Sequence, residues 1–172
     1  MTTADRSADG NMQPARTAGI HQPMPYEFTM TRRVEFSETD MAGIMHFSNY
    51  FRYMESVEHA FFRSLGLAVH ASSPQGMHGW ARVHAACDFK APLRYQDEVE
   101  VHLLVAEKRS KSITYIAEFR RPDGTEIARG RWTVVCVTRD RDEAGMTSAP
   151  IPDAVNQKIE AAPPEALPQE DR

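Results

Sequence analysis

The stretch at residues 34–58 reads VEFSETDMAGIMHFSNYFRYMESVE and contains the change of period that decides the fold. Before it, apolar side chains alternate as in a half-buried strand, at Tyr26, Phe28, Met30, Val34 and Phe36. Within and after it, they recur every three or four residues, as on one side of an α-helix, at Tyr50, Met54, Val57, Phe61 and Leu65. A strand is therefore expected to leave through a loop and re-enter as a long, largely buried helix over residues 48–65.

Sequence signals also predict the ends of this helix. Ser48 or Asn49 can cap the first amides. Gly66 follows the last apolar position and offers the left-handed residue that commonly ends a helix.

Four strand-like segments follow the helix. Apolar and polar residues alternate over residues 81–89, 99–105 and 113–119, and a further strand is expected at about 126–138. The turn at residues 121–124, Arg-Pro-Asp-Gly, and the turn at residues 109–111, Arg-Ser-Lys, each predict an antiparallel hairpin. Further on, Ile151, Val155 and Ile159 predict a short amphipathic helix after two prolines. The order indicates an α+β fold in which an antiparallel sheet wraps around the long helix.

Length and composition favour one compact domain. The chain has 172 residues, of which 41% are hydrophobic and 26% charged, as in ordinary globular proteins. We expect a flexible N-terminal leader at 1–25, the folded domain at 26–140, and a C-terminal extension at 141–172 with a short helix and a flexible tail.

Charge and cysteine content exclude several classes of protein. The net charge of -4 gives no general attraction for nucleic acid or acidic membranes. No run approaches the roughly 18 apolar residues of a membrane span, and the start lacks the apolar core of a signal peptide. Cys87 and Cys136 form no CxxC pair and are expected to be buried free thiols, which favours the cytoplasm.

The loop and the start of the helix resemble the 4-hydroxybenzoyl-CoA thioesterase branch of the hotdog superfamily. Asp40, Gly43, Asn49 and Tyr50 match the signature of that branch in identity and spacing, and Glu55 falls where the family usually has a helical carboxylate. The resemblance covers about residues 26–140. It implies the hotdog fold, an antiparallel sheet of about five strands wrapped around a long central helix. It also implies an acyl-CoA thioesterase. The Asp40 loop and the lack of a coherent metal motif predict that the reaction needs no cofactor.

Physical chemistry fits this resemblance, because a loop carboxylate beside a helix N-terminus suits acyl transfer. The free amides and the positive end of the dipole can stabilise a developing oxyanion. In the resembling enzymes the loop aspartate is the nucleophile or general base, a role that falls on Asp40, and the Phe47 amide takes the oxyanion site. Gly43, Asn49 and Tyr50 complete the oxyanion and substrate-binding set. The alternative for Asp40 is an Asx-turn or capping residue.

Two further candidates have less support. Many bacterial relatives have Tyr-His where this chain has His46 and Phe47, so His46 is shifted by one position. It is a candidate for proton transfer, with an ordinary polar contact as the alternative. Glu55 is a candidate for a direct catalytic role, with pairing to an arginine or capping of a loop as the alternative.

A basic turn is the candidate for binding the phosphates of CoA. Relatives often hold these phosphates near the turn that here contains Arg109, Ser110 and Lys111, and the alternative is a solvated basic turn. Single cations elsewhere are weaker candidates, namely Lys90, Arg94, Arg120 and Arg121. The remaining histidines lack metal-ligand spacing, so no metal site is expected.

These features favour hydrolysis of an acyl-CoA, whose acyl group the sequence leaves open. The alternatives are a non-enzymatic acyl-CoA-binding hotdog module, which would lack a competent carboxylate, and a hotdog dehydratase, whose histidine-bearing motif is not apparent. A single hotdog sheet leaves an open edge, so a homodimer or homotetramer is expected.

Overall fold

The computed structural model describes residues 24–73, 76–139 and 145–169. In chain order the elements are β1 (Glu27–Arg33), a 3-10 turn (Phe36–Glu38), α1 (Ser48–Ser64), β2 (Ala71–Ser73), β3 (Gly76–Phe89), β4 (Glu98–Lys108), β5 (Ser112–Arg120), β6 (Glu126–Arg139), β7 (Thr147–Ser148), α2 (Asp153–Asn156) and a second 3-10 turn (Pro164–Ala166). Nearly all of the expected leader at 1–25 lies outside the described residues, as does the boundary expected at residue 140.

The strands form one antiparallel sheet. In the described ranges its order is β1-β4-β5-β6-β3-β2, with β7 paired to β6. The five strands expected from alternation are present as β1, β3, β4, β5 and β6. The two further strands are too short, at three and two residues, to carry a pattern in the sequence.

The sheet wraps around α1, as expected. The apolar side of the helix is buried, including Met54, Val57, Phe61 and Phe62, against inward-facing residues of the strands such as Val101. At about 25 cal/mol per Å² of apolar surface, this burial provides the main stabilisation of the fold. The helix therefore lies in the core of the molecule, and its packing fixes the position of its N-terminal end.

The two ends of α1 differ in how their free backbone N–H and C=O groups are hydrogen-bonded. Gly66 has a φ of +66°, its N–H donates to the Arg63 carbonyl and the Leu67 N–H donates to the Phe62 carbonyl, a Schellman motif that confirms the predicted stop. The predicted cap at Ser48 or Asn49 is wrong. The N-cap is Phe47, which makes no side-chain capping bond, because the chain already turns at His46.

Both predicted hairpins are confirmed. Gly124 has a φ of +87° and its N–H donates to the Arg121 carbonyl at 2.9 Å, closing the turn between β5 and β6. The Arg109 N–H donates to the Ser112 carbonyl at 2.8 Å, closing the turn between β4 and β5.

The C-terminal extension contacts both faces of the sheet. Ile151, Val155 and Ile159 are buried as their spacing predicts, although α2 itself is only four residues long. Beyond them, the polar, proline-bearing sequence predicts a flexible tail. In the structure the Arg129 guanidinium donates to the Gln169 carbonyl at 3.1 Å, so this segment lies across the outer face of the sheet.

No helix in the described ranges has the length and apolar character needed to cross a membrane.

Candidate active site

The loop before α1 holds Asp40 in a fixed geometry. The Ala42 N–H donates to Asp40 Oδ1 at 2.8 Å, which is an Asx-turn, and the Gly43 N–H donates to the Asp40 carbonyl at 3.0 Å. Gly43 has a φ of +72°, a left-handed conformation that favours glycine. The loop is therefore pre-organised, and Asp40 Oδ2 accepts no hydrogen bond from the described residues.

Glu38 ties the loop to α1. Its carbonyl accepts hydrogen bonds from the His46 N–H and from Asn49 Nδ2, both at 2.8 Å. Its Oε2 accepts a hydrogen bond from the Tyr53 hydroxyl at 2.6 Å, and burial together with this bond raises the pKa of Tyr53, which stays a proton donor. Sequence reasoning did not identify Glu38 or Tyr53, because their pairing depends on how the loop folds back.

A cavity of about 450 Å³ opens at the N-terminal end of α1. Its lining consists of Asp40, Ile44, Met45, Phe47, Tyr50 and residues 89–92. The segment after β3 is held in place by the Met45 N–H, which donates to the Leu93 carbonyl at 2.7 Å. The cavity therefore has one carboxylate and one cation, Lys90, in a mainly apolar wall.

Aromatic rings form much of that wall. Tyr50 meets Phe89 edge-on at 5.0 Å and Phe119 at 5.3 Å between ring centroids. Burial raises the pKa of Tyr50 to about 12, so its hydroxyl is neutral at ordinary pH. A flat acyl group would find ring faces and edges here.

Phe47 lines the same cavity as Asp40. Among the described residues the Phe47 N–H has no acceptor, whereas the next two amides of the helix start donate to His46. It lies at the N-cap of α1, where the helix dipole is positive. An unpaired amide and a carboxylate at one cavity can polarise a carbonyl and attack it.

Two of the predicted catalytic residues do not line this cavity. His46 Nδ1 lies 2.9 Å from Ser48 Oγ, and the ring packs beside Phe47 at 4.5 Å. Glu55 is exposed on α1. Asn49 is buried but ties the loop to the helix rather than capping it.

The basic turn at 109–111 lies at the other end of the sheet. The Lys90 N–H donates to the Ile127 carbonyl on β6, and the Cys136 N–H on the same strand donates to the Lys111 carbonyl. At about 3.3 Å per residue, these two points on β6 are roughly 30 Å apart. Within one subunit the structure therefore does not bring the turn together with Asp40.

A different helical carboxylate, Glu58, is buried, with 2% of its surface exposed. Its Oε2 accepts hydrogen bonds from Trp132 Nε1 at 2.7 Å and from Arg82 Nη2 at 2.8 Å. Burial raises the pKa of Glu58, and the Arg82 charge opposes that shift. Glu58 lies four residues after Met54 and three before Phe61, on the apolar stripe, which is a signal present in the sequence.

The part of the chain that the structure describes contains no group of three or more His, Cys, Asp or Glu side chains arranged to hold a metal ion.

Comparison with known proteins places this site in a family. Residues 34–159 match the family model described as the thioesterase-like superfamily. The chain belongs to the thioesterase-like superfamily. The matched residues include the Asp40 loop, α1 and the sheet from β2 to β7.

Three relatives of this thioesterase are informative. It is 30% identical over 91 residues to the 4-hydroxybenzoyl-CoA thioesterase of Pseudomonas sp. (strain CBS-3), covering 52% of this chain and 64% of the relative. It is 27% identical over 140 residues to the 1,4-dihydroxy-2-naphthoyl-CoA hydrolase of Parasynechococcus marenigrum (strain WH8102), covering 77% and 89%.

The third is a solved structure, the BH1999 gentisyl-coenzyme A thioesterase, with 29% identity and a TM-score of 0.63 over 75% of this chain and 99% of that protein. The predicted hotdog fold and the predicted membership among thioesterases are thereby confirmed. The predictions for individual site residues stay predictions.

Proposed function

We propose that this thioesterase hydrolyses an acyl-CoA to a carboxylic acid and CoA, with Asp40 as nucleophile or general base and the Phe47 amide in the oxyanion site. The observation that carries the proposal is that one cavity at the start of α1 is lined both by Asp40 and by Phe47, whose N–H has no acceptor among the described residues. The Asx-turn supports it, because it occupies Oδ1 and leaves Oδ2 for chemistry. No metal or redox cofactor enters the proposal.

Either mechanism uses the same geometry. An oxygen, from Asp40 or from a water that Asp40 deprotonates, forms a bond to the thioester carbon. The carbonyl oxygen gains negative charge facing the Phe47 N–H, which stabilises it. The carbon–sulfur bond then breaks and its electron pair leaves on sulfur as the CoA thiolate. In the nucleophilic route, water afterwards hydrolyses the mixed anhydride on Asp40.

An aromatic acyl group fits the cavity best. Phe47, Tyr50 and Phe89 line it, and Met45 and Pro92 add apolar surface. Offset and edge-on ring contacts are worth about 0.5–1.5 kcal/mol beyond burial. The named substrates of the relatives are also aromatic, a hydroxybenzoyl, a dihydroxynaphthoyl and a gentisyl thioester.

The proposal includes a homodimer, or a dimer of dimers. β2 pairs with β3 only over residues 76–78, so among the described residues one edge of β3 is unpaired from Gly79 to Phe89. Val83 and Phe89 are exposed along this stretch. A long unpaired edge with apolar residues favours pairing with a second copy.

In such an assembly the basic turn of one subunit can still contact CoA that is bound to another subunit. Arg109, Ser110 and Lys111 are proposed to contact CoA phosphates, but the separation of roughly 30 Å means that they would serve a cavity in another subunit. We place the protein in the cytoplasm, supported by the free thiols of Cys87 and Cys136.

A hydrolysis screen with a free-thiol readout tests the proposal. Aromatic acyl-CoAs should be cleaved faster than straight-chain ones, and a chelator should leave turnover unchanged. Release of no thiol from any acyl-CoA would remove the proposed activity and favour a binding module.

Asp40→Asn should lower kcat roughly a hundredfold or more, because the amide loses basicity and nucleophilicity. The side-chain oxygen of asparagine can still accept the Ala42 N–H, so the turn and the melting temperature should be kept. Glu55→Gln is the matched comparison. Near-normal turnover in folded Asp40→Asn with a collapse in folded Glu55→Gln would transfer the catalytic role to the helix.

A further inference from the structure

The Asp40 loop, residues 38–47, folds as a small hairpin that carries both groups of the proposed chemistry. The Asp40 N–H donates to the Ile44 carbonyl at 2.9 Å. The His46 N–H donates to the Glu38 carbonyl at 2.8 Å and closes the hairpin. This closing bond lies two residues from the carboxylate and one residue from the amide proposed for the oxyanion site, so it constrains the separation of the two groups.

The Glu38 side chain fixes this hairpin to the rest of the fold. Its Oε2 accepts the Tyr53 hydroxyl at 2.6 Å and the Glu35 N–H at 2.8 Å. Its Oε1 lies 3.8 Å from Arg32 Nη2 on β1, and only 14% of the side chain is exposed. Both carboxylate oxygens therefore face a donor or a cation, supplied by α1, by β1 and by the chain just before the loop.

Tyr53 lies on the buried side of α1, with 1% of its surface exposed. The Arg32 guanidinium lies over its ring, 4.7 Å from the centroid. Burial and the bond to Glu38 raise the pKa of Tyr53, so the hydroxyl keeps its proton and donates to the carboxylate at ordinary pH. Hydrogen bonds to a charged acceptor are roughly twice as strong as neutral ones. The loop is therefore bonded strongly to a residue that the core holds in place.

Neither Glu38 nor Tyr53 belongs to the lining of the cavity that contains Asp40. They therefore do not contact a substrate there, and any effect that they have on the reaction passes through the loop. Position matters to the reaction because the reacting atoms must approach to about 3–3.5 Å, and a misplacement of about 1 Å can cost about a hundredfold in rate.

We propose that Tyr53 and Glu38 are positioning residues for the proposed reaction. They hold the Asp40 carboxylate and the Phe47 N–H at the separation that attack on a thioester requires. This inference rests on the proposed function. The Glu38 carboxylate receives the Tyr53 hydroxyl, and the Glu38 carbonyl receives the N–H that closes the hairpin. The cost of losing the hydroxyl therefore falls on the chemical step and not on substrate affinity.

Steady-state kinetics on the acyl-CoA that the wild type cleaves fastest tests this role. Tyr53→Phe keeps the ring and removes the hydroxyl, so it should lower kcat about tenfold or more and leave KM within about twofold. Tyr115→Phe is the matched control and should keep the wild-type kcat, because that hydroxyl is also buried but has no partner among the described residues. Glu38→Gln has an amide oxygen that still accepts the Tyr53 hydroxyl, so it should keep more turnover than Glu38→Ala.

The Asp40→Asn background shows whether the effect passes through the carboxylate. Without that carboxylate, its distance from the oxyanion amide no longer limits the rate. Adding Tyr53→Phe to Asp40→Asn should therefore change the residual kcat by less than about twofold, whereas independent effects would multiply.

Amide hydrogen exchange measured by NMR, with no substrate present, reports on the loop itself. In Tyr53→Phe the Asp40 and His46 amides should exchange about tenfold faster or more, because opening the loop no longer breaks the hydrogen bond of the hydroxyl. The Leu67 N–H, which is bonded at the other end of α1, should exchange as it does in the wild type.

Unchanged exchange of the two loop amides in Tyr53→Phe overturns the positioning role, and so does equally faster exchange at Leu67. An unchanged kcat, the same loss in Tyr115→Phe, or a loss that persists undiminished in Asp40→Asn overturns it as well. If exchange becomes faster only at the loop while the wild type releases no thiol from any acyl-CoA, Tyr53 and Glu38 hold the loop as proposed and hydrolysis is the proposal that fails.

Discussion

Glu58 and Glu55 lie three residues apart on α1 but in opposite surroundings. Glu55 is exposed, whereas Glu58 is enclosed by Trp132 and by Arg82 from β3. The Tyr115 hydroxyl is also fully buried and has no partner among the described residues, and burial raises its pKa well above the ordinary value. Charging Glu58 therefore costs desolvation that its two donors offset only in part.

This cost predicts a pH dependence of stability. The pKa of Glu58 is raised in the folded state above its ordinary value of 4.5, so the folded state binds the proton more tightly. The stabilisation is fully present below 4.5 and is lost as pH rises through the raised pKa. Relative to Glu58→Gln, which cannot ionise, the wild type should lose free energy of unfolding as pH rises from 4.5 through the raised pKa.

Urea unfolding of both proteins across that range measures the difference. Glu55→Gln is the control, because it removes an exposed carboxylate from the same helix and leaves the buried cluster around Glu58 intact. A wild type that gains stability over Glu58→Gln as pH rises would mean that the pair with Arg82 outweighs burial and that the raised pKa is wrong.

At single residues, what the sequence can reveal depends on whether the signal is local. Asp40 and Gly43 are found by their spacing, because the turn they form is local. Glu58 stood on the apolar stripe and could have been found. Phe89 and Pro92 could not, because they join the site only through the register of β3 against β6 and the contact of the next segment with Met45.

Among the elements, β6 and α1 meet unusually closely at Gly130. A Cβ built on Gly130 would lie 2.6 Å from Met54 Sδ, and Met54 is buried. Gly130→Ala should therefore overpack the helix against the sheet and lower the free energy of unfolding by about 1–3 kcal/mol. Denaturant unfolding measures the loss.

A double-mutant cycle identifies the cause of that loss. Met54→Ala removes the clashing sulfur, so Gly130→Ala should cost less in that background. Gly145→Ala is the matched control, since an added Cβ there meets nothing within 4 Å. Equal costs of Gly130→Ala with and without Met54 would show that backbone strain, and not this contact, is responsible.

Periodicity predicted the main elements because each has one buried face. α1 carries its apolar stripe and ends before Gly66, and β4 begins with alternating exposed and buried positions. The start of β3 was missed by five residues, at Gly76 instead of Ala81, because residues 76–80 contain two glycines and show no regular alternation. Contacts made by single side chains, such as Lys108 Nζ with the Ile159 carbonyl at 2.7 Å, left no pattern in the sequence.

For the whole molecule, the proposed homodimer would form along the free edge of β3. Val83 lies at the irregularity between Arg82 and His84, where the register with β6 shifts, and it is 62% exposed. A lysine at this position in both copies would place like charges across a symmetric edge, which natural edge strands use to prevent pairing. Val83→Lys should therefore be monomeric, with its fold intact because Val83 is not part of the core.

Val83→Thr is the matched variant, since it keeps the branched shape without a charge and should associate as the wild type does. Sedimentation of the three proteins measures association, and a dimeric Val83→Lys would exclude this edge as the interface. The same monomer tests the basic turn. If Arg109, Ser110 and Lys111 serve a cavity in another subunit, the Val83→Lys monomer should bind CoA more weakly than Val83→Thr does, and equal affinities would exclude the turn as a contact between subunits.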